Sequence, residues 1–323
     1  MSNKEIYQKT LGFSVRRFFY DLLAFVVLAG ACALGFFIAE KSFDLGLVGL
    51  LIGLVVGIVV IAVFLRYVSY TYKAGQIAMM TEGITTGSLP DDVIGGGKAA
   101  VKSRFATVAI YFAATGIIKG IFNQIGRGIT AIGSSVGGDT GETVGSVISA
   151  VVQTIVAYLC DCCLGWVFFR KGVNAGKATC EGAVLFFKHG KTFAKNMGRV
   201  FGMGIASFLV IGGAFTGIFY VIGGFFTEQF ARLSQELVQI SNEIEGGLPA
   251  VLQDPATLRI VAAALIAVIL WSILHSVFVR PFVLTGVLRN YLESGIKDMP
   301  TEESFALLDS KSAKFKKLHD GLA

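Results

Sequence analysis

Three apolar stretches of this chain end in the same kind of tripeptide, Phe-apolar-Arg: Phe64-Leu65-Arg66, Phe168-Phe169-Arg170 and Phe278-Val279-Arg280. Each is preceded by another apolar stretch that starts just after an arginine and passes a glycine step. These run from Arg17 to Gly30 and Gly35-Phe36-Phe37, from Arg104 to Gly116 and Gly120-Ile121-Phe122, and from Arg199 to Gly213 and Gly217-Ile218-Phe219. A backbone that crosses lipid must satisfy its own hydrogen bonds, and a helix does so within one segment. Paired apolar stretches bounded by cations, three times over, therefore predict a triplicated transmembrane helical hairpin, with units at 14–70, 102–175 and 197–285.

Composition supports this class. Of 323 residues, 54% are hydrophobic and 15% charged, and the mean hydropathy is +0.70. A soluble domain carries about 25% charged residues. A helix needs about 20 apolar residues to cross a hydrocarbon core roughly 30 Å thick. Six runs meet that length, at about 22–39, 45–65, 105–122, 147–169, 200–226 and 260–279. The expected fold is an all-α polytopic membrane protein: one membrane domain over 1–323, with six transmembrane helices as three repeated hairpins. The first twenty residues hold Lys4, Lys9, Arg16 and Arg17, and no small-residue cleavage site follows the first apolar run. That run is therefore read as helix one and not as a cleaved signal. No Asn-x-Ser/Thr glycosylation sequon occurs, which weighs toward a multi-pass protein of a bacterial plasma membrane.

The net charge of +6 has a topological explanation. Segments 1–21, 66–104, 170–199 and 280–323 carry 4, 5, 7 and 7 lysines and arginines, 23 of the chain's 28. The intervening hairpins hold only Lys41, Lys119, Arg127, Arg232 and Arg259. This is the positive-inside pattern and predicts that both termini are cytoplasmic. The natural partner of the basic segments is the anionic inner leaflet of the bilayer, and a nucleic-acid partner is excluded.

Each closing arginine leads into a glycine-bounded elbow, at 71–101, 176–196 and 286–303, with a C-terminal cytoplasmic tail over 304–323. Gly75 to Glu82-Gly83 and Leu89-Pro90-Asp91-Asp92 match Gly286 to Glu293 and Met299-Pro300-Thr301-Glu302-Glu303, whereas the second elbow keeps only Gly176 and Glu181-Gly182. Two readings fit such elbows. They are coupling or gating elements, or they are interfacial helices that anchor a hairpin on the headgroups. Of the outer connections, the first, near 40–44, is a tight turn. The second, 123–146, is rich in Gly, Ser and Thr and reads as flexible or re-entrant. In the third, 227–259, Phe230, Leu233, Leu237, Ile240 and Ile244 recur at helical spacing against Glu228, Glu236, Glu243 and Glu245. That predicts an amphipathic outer helix.

Polar residues that break the repeat are the candidates for chemistry. Nine positions before the closing arginines stand Gly57, Asp161 and Trp271, and five before them stand Ile61, Gly165 and His275. From the helix rise, Asp161 lies about 13 Å from the boundary arginine, where an acid costs about 2.5–3.5 kcal/mol to insert. Thr154 and Tyr158 share its helical face. Asp161 is read either as a cation or proton site or as an acid that hydrogen-bonds two helices together. His275, near Trp271, Ser272 and Ser276, is a proton relay or a single hydrogen-bond donor. Lys119, near the outer end of helix three, is expected to snorkel to the interface. Gly116, Gly120, Gly213 and Gly217 are read as helix-packing steps, facing the bundle interior, an oligomer or a partner membrane protein.

Cys160-Asp161-Cys162-Cys163 has a metal-like composition. Neighbours on a helix point about 100° apart, however, so no chelating face forms, and Cys32 and Cys180 stand alone. No metal or cofactor is expected. No phosphate loop, zinc-protease motif or serine elbow occurs, so the chain is read as a non-enzyme.

Three hairpins in a basic chain of this length look like the mitochondrial carrier family, whose odd helices carry Pro-x-[Asp/Glu]-x-x-[Lys/Arg]. None of Pro90, Pro249, Pro255, Pro281 and Pro300 sits in that motif, and the family is excluded. The Glu181-Gly182 elbow and the final Leu292-Glu293 helix look like choline transporter-like proteins. No motif specific to that family occurs and six spans fall short of its number, so nothing is carried over from it. The functional expectation is a transporter or channel for a small solute or ion, with its path between hairpins near Asp161. The alternative is a scaffold or complex subunit that packs through glycine-rich faces.

Overall fold

A computed structural model describes residues 1–43, 45–105, 112–113, 115–120, 141–243, 249 and 253–321. Their regular structure is helical throughout, with no strand among the described residues. Four helices are long and apolar enough to cross a membrane: Asn3–Phe43, Val48–Thr85, Gly198–Gln239 and Pro255–Lys297. The protein is therefore membrane-embedded. These helices run to 38–43 residues, about twice what a bilayer needs, so a large part of each is free to pack against protein. Parts of the second predicted hairpin, at 106–111, 114 and 121–140, and Ile244 of the outer helix lie outside the described residues. The same holds for most of the Gly/Ser/Thr-rich connection.

The chain forms two compact units, Met1–Gly198 with Pro281–Ala323, and Arg199–Arg280. In the first, α1 (Asn3–Phe43) and α2 (Gly46–Val68) fold back on each other. The turn is closed by Glu40, whose carboxylate accepts the Gly46 N–H at 2.9 Å. The two helices meet backbone to backbone. Gly35 lies against the carbonyl of Gly49, Gly49 against that of Gly35 and the methyl of Ala39, and Gly53 against the carbonyl of Ala31. A Cβ on Gly35 would also come to 3.1 Å from the Gly53 Cα. The opposing ridges are Ala31-x3-Gly35-x3-Ala39 and Gly49-x3-Gly53-x3-Gly57, small residues that permit close approach where lipid offers no hydrophobic drive. Of the 25 large apolar side chains that this unit exposes among its described residues, 20 lie between Val15 and Tyr67. Its apolar surface is thus essentially this hairpin.

Past Arg66, α2 continues through a π-helical segment, Ser69–Lys73, into α3 (Ala74–Thr85). A short helix α4 (Val93–Arg104) follows, its N-terminus capped by the Asp92 carboxylate on the Gly95 N–H at 2.9 Å. The core of the unit is α3 with α5 (Gly141–Phe169), α6 (Ala175–Lys188) and α11 (Arg280–Lys297). Here the elbows depart from the interfacial role. Residues 74–81 of α3 and 178–185 of α6 are buried on all sides, and α11 buries Pro281, Val283–Leu288, Tyr291, Leu292 and Gly295. Small residues make this possible: Gly165 faces Leu288 and Thr81, Gly182 faces Tyr291 and Cys163, and Gly295 faces Leu185 and Trp166. The N-terminal turns of α1 close the core with Ile6 and Phe13, and the Gln76 amide donates to Ser14 Oγ at 3.0 Å. The tail forms α12 (Glu302–Lys311) and α13 (Ala313–Asp320). Their Phe305, Leu308 and Phe315 pack on Cys180, Ala183 and Val184 of α6.

The chain enters the second unit from α7 (Gly190–Ser207). There a π-helical turn, Phe208–Gly212, leads into α8 (Gly213–Gly223). α9 (Thr227–Glu243) is the outer helix anticipated from its apolar spacing. α10 (Pro255–Leu274) starts with Pro255 in its first turn and with the Asp254 carboxylate on the N–H of Thr257 at 2.8 Å. It ends in a third π-helical turn, His275–Val279. Side chains join α10 to the end of α7 and to α8. The Trp271 indole donates to Ser207 Oγ at 3.2 Å, and Arg259 donates to the Tyr220 carbonyl at 2.8 Å with its guanidinium 3.9 Å above the Tyr220 ring.

Candidate functional site

Asp161 sits on α5 with only 3% of its surface exposed. Its carboxylate meets Lys73 Nζ at 2.7 Å. Lys73 is the last residue of the π-helical turn. A wider turn of this kind rotates the following side chains relative to an α-helix, and such segments recur at functional sites. The ion pair joins the extension of the first hairpin to a helix of the second predicted one. The partner of Asp161 lies seven residues past Arg66, the arginine that closes the first hairpin. Tyr158, one turn away, is buried, and Thr154 is half-buried.

Two further carboxylates hold the end of the same helix. Glu181 accepts from Arg170 Nε at 2.8 Å and Nη2 at 3.1 Å, and from the Trp166 indole at 3.0 Å. Lys171 pairs with Glu82 of α3 at 2.7 Å. Arg170, the terminus of one of the three repeated tripeptides, is therefore a bidentate structural cation. Arg66 lies 5.9 Å from the Phe112 ring centre.

The remaining sequence candidates belong to the second unit. The Trp271 and His275 rings lie 5.3 Å apart between centres with their planes tilted by 36°, and Phe208 meets Trp271 edge-on at 5.0 Å. Asp161, Tyr158 and Thr154 are thus one cluster, and Trp271 with His275 another. Of the predicted packing glycines, Gly116, Gly213 and Gly217 face open space among the described residues, while the Lys314 stem comes to 3.3 Å from where a Gly120 Cβ would stand. The close contacts fall at Gly35, Gly49 and Gly53. Part of their signal is readable in α2, where Gly49, Gly53 and Gly57 are spaced by four.

Cys162, Cys163 and Cys180 are buried as thiols. Burial pushes the Cys180 thiol up to about 12, with Asp309 and Glu181 adding to it, so it is an apolar filler and not a nucleophile. Among the described residues no three His, Cys, Asp or Glu side chains converge to hold a metal.

A cleft of about 560 Å³ opens beside these ion pairs, between α3, α4 and the end of α5. Met79, Pro90 and Phe168 form its apolar wall, and Glu82, Arg104 and Lys171 are its charged groups. Composition and periodicity do not reveal it, because its walls come from segments nearly 90 residues apart. No family model matches the chain, and no curated protein or solved structure is similar to it.

Proposed function

We propose that the protein is a transporter or channel for a small solute or ion, whose path runs between the hairpins near Asp161 and is closed there by the Lys73–Asp161 pair. The observation that carries this reading is the pair itself, at 2.7 Å. A buried acid and a cation cost several kcal/mol each to desolvate. They are placed at a π-helical turn, on two helices that belong to different hairpins. A gate requires a contact with a paired and an opened arrangement, and the pair at Asp161 is the closed one of this proposal. Tyr158 and Thr154 line the same helix face, and Trp271 and His275 are the candidates in the second unit.

The wider organisation belongs to the same proposal: six spans as three repeated hairpins, both termini cytoplasmic, in a bacterial plasma membrane. The distribution of lysine and arginine supports it, as do the two helical pairs α1/α2 and α8/α10. The test is substituted-cysteine labelling of Thr154→Cys, Tyr158→Cys and His275→Cys in a cysteine-free chain, before and after Lys73→Met opens the pair. Reaction with a membrane-impermeant thiol reagent that rises on opening, together with solute flux in liposomes, supports the path. Silence at all three positions in both backgrounds, with loop controls reacting, sinks it.

A second reading is a non-transport scaffold or complex subunit. It is favoured by the glycine faces at Gly116, Gly213 and Gly217, which no described residue covers. It predicts a stable complex that Gly213→Leu disrupts, with no flux.

A further inference from the structure

Arg104, the last residue of α4, is held on one side only. Its Nη1 donates to the carbonyls of Val173 at 2.8 Å and Lys171 at 3.3 Å. Its Nε and Nη2 are buried and have no hydrogen-bond partner among the described residues. These two nitrogens form one edge of the guanidinium, the fork that grips a carboxylate or phosphate through two parallel hydrogen bonds. The chain itself supplies the comparison: Arg170 uses the same edge, Nε and Nη2, to hold Glu181. In Arg104 the fork is built and fixed in place, and no described side chain fills it.

The charge count in the cleft points the same way. Glu82 and Lys171 neutralise each other at 2.7 Å, which leaves Arg104 as one uncompensated positive charge among the lining residues. Burial pulls its guanidinium below the usual arginine value, so the site disfavours the very charge it holds. A partly buried cation without a counter-ion is destabilised relative to one in open water. A bound anion removes that cost.

We propose that the cleft between α3, α4 and the end of α5 binds a small oxyanion, a carboxylate or a phosphate group, on the Nε–Nη2 fork of Arg104. The cleft volume of about 560 Å³ accommodates a small organic acid or a lipid headgroup. The apolar wall of Met79, Pro90 and Phe168 suits an occupant with an apolar body. Because the fork is closed from bulk water, the anion reaches it after a side-chain shift at the cleft wall. The proposal does not depend on the transport reading.

The test is thermal unfolding of the full chain in an uncharged detergent, titrated with inorganic phosphate or acetate against chloride at constant ionic strength. A parallel arm adds phosphatidylglycerol to the micelles. At ten times the dissociation constant the midpoint is expected to rise by about 2–4 °C. Arg104→Gln is expected to abolish the rise, and Arg104→Lys, which keeps the charge and loses the fork, to weaken it. Ala100→Phe keeps Arg104 and fills the cleft, so it serves where the arginine variants fail to fold, and it too is expected to abolish the rise. A response to phosphate or acetate assigns a free solute, and a response to the lipid alone assigns a headgroup, both on the same fork. No response to either, or a full response retained in both Arg104→Gln and Ala100→Phe, overturns the proposal.

Discussion

The α1/α2 hairpin and the α8/α10 pair are both apolar, and α2 and α8 each carry glycines spaced by four, yet they are held together by opposite means. In the first, Gly35, Gly49 and Gly53 bring two backbones into contact, and no polar side chain is needed along the crossing. In the second, Gly213 and Gly217 face open space among the described residues, while Trp271 with Ser207, at the end of α7, and Arg259 with Tyr220 join the helices. A glycine four residues from another is therefore a permission and not a contact. It becomes a contact where the facing helix carries its own ridge of small residues, as Ala31, Gly35 and Ala39 do.

The largest effect is expected past the end of the first hairpin, where backbone packing gives way to charge. Lys73→Met takes the ammonium away from the buried Asp161 carboxylate. Its cost in chemical denaturation is expected at about 2–4 kcal/mol, below the full cost of breaking a buried pair because part of Lys73 stays in contact with solvent. Adding Asp161→Leu should recover much of the loss. A double variant no better than the single one would show that the pair is not what holds these helices together.

Gly49→Leu sharpens the contrast directly. It drives a side chain into the Gly35 carbonyl and the Ala39 methyl and is expected to destabilise by about 1–3 kcal/mol, the usual penalty for overpacking. The readout is loss of α1–α2 crosslinking between introduced cysteines. Unchanged crosslinking would mean that the ridge is slack.

In the second unit the first turn of α10 titrates. Hydrogen bonds from the Thr257 hydroxyl and backbone hold the exposed Asp254 carboxyl below its ordinary value. A depressed folded-state pKa contributes stability that is present above the unfolded value and lost as the pH falls through the folded one. Protection of the α10 amides from hydrogen exchange should therefore be flat near neutrality and fall below the ordinary carboxylate range. In Asp254→Ala that acid-side decline should be absent.

Gly213→Leu carries the smallest expectation, a change within about 0.5 kcal/mol, as for a substitution into open space. A large loss of monomer stability would erase the difference between the two hairpins. A loss of association with an unchanged monomer would move the scaffold reading ahead.

The apolar runs, the helix-rich membrane class and the outer amphipathic helix were legible because each depends on residues close together in sequence. The elbows were not. Ala74, Gly75, Ala78 and Thr81 form a weakly patterned, small-residue segment that composition assigns to a surface, yet Gly75 lies against Phe13 and Gly97, and Thr81 meets the Gly165 carbonyl 84 residues away. The polarity of Asp161 was visible as a break in the repeat, but its partner was not. Lys73 lies 88 residues earlier and beyond the arginine that marks the end of the span. In the sequence Arg104 is one topological cation among many, and only the direction of its three nitrogens distinguishes it from the others.

The continuity of the first hairpin with the core makes it a cantilever. α1 is a single rod of 41 residues, about 60 Å long, with its apolar half zipped to α2 and its other half fixed in the core by Ile6 and Phe13. A rod of that length turning by about 5° about one end carries the other through about 5 Å, more than the reach of a hydrogen bond. A bilayer that thickens or thins tilts its spanning helices, and in this chain that tilt is delivered to the segment bearing Lys73. A change in bilayer thickness is therefore expected to alter the Lys73–Asp161 contact.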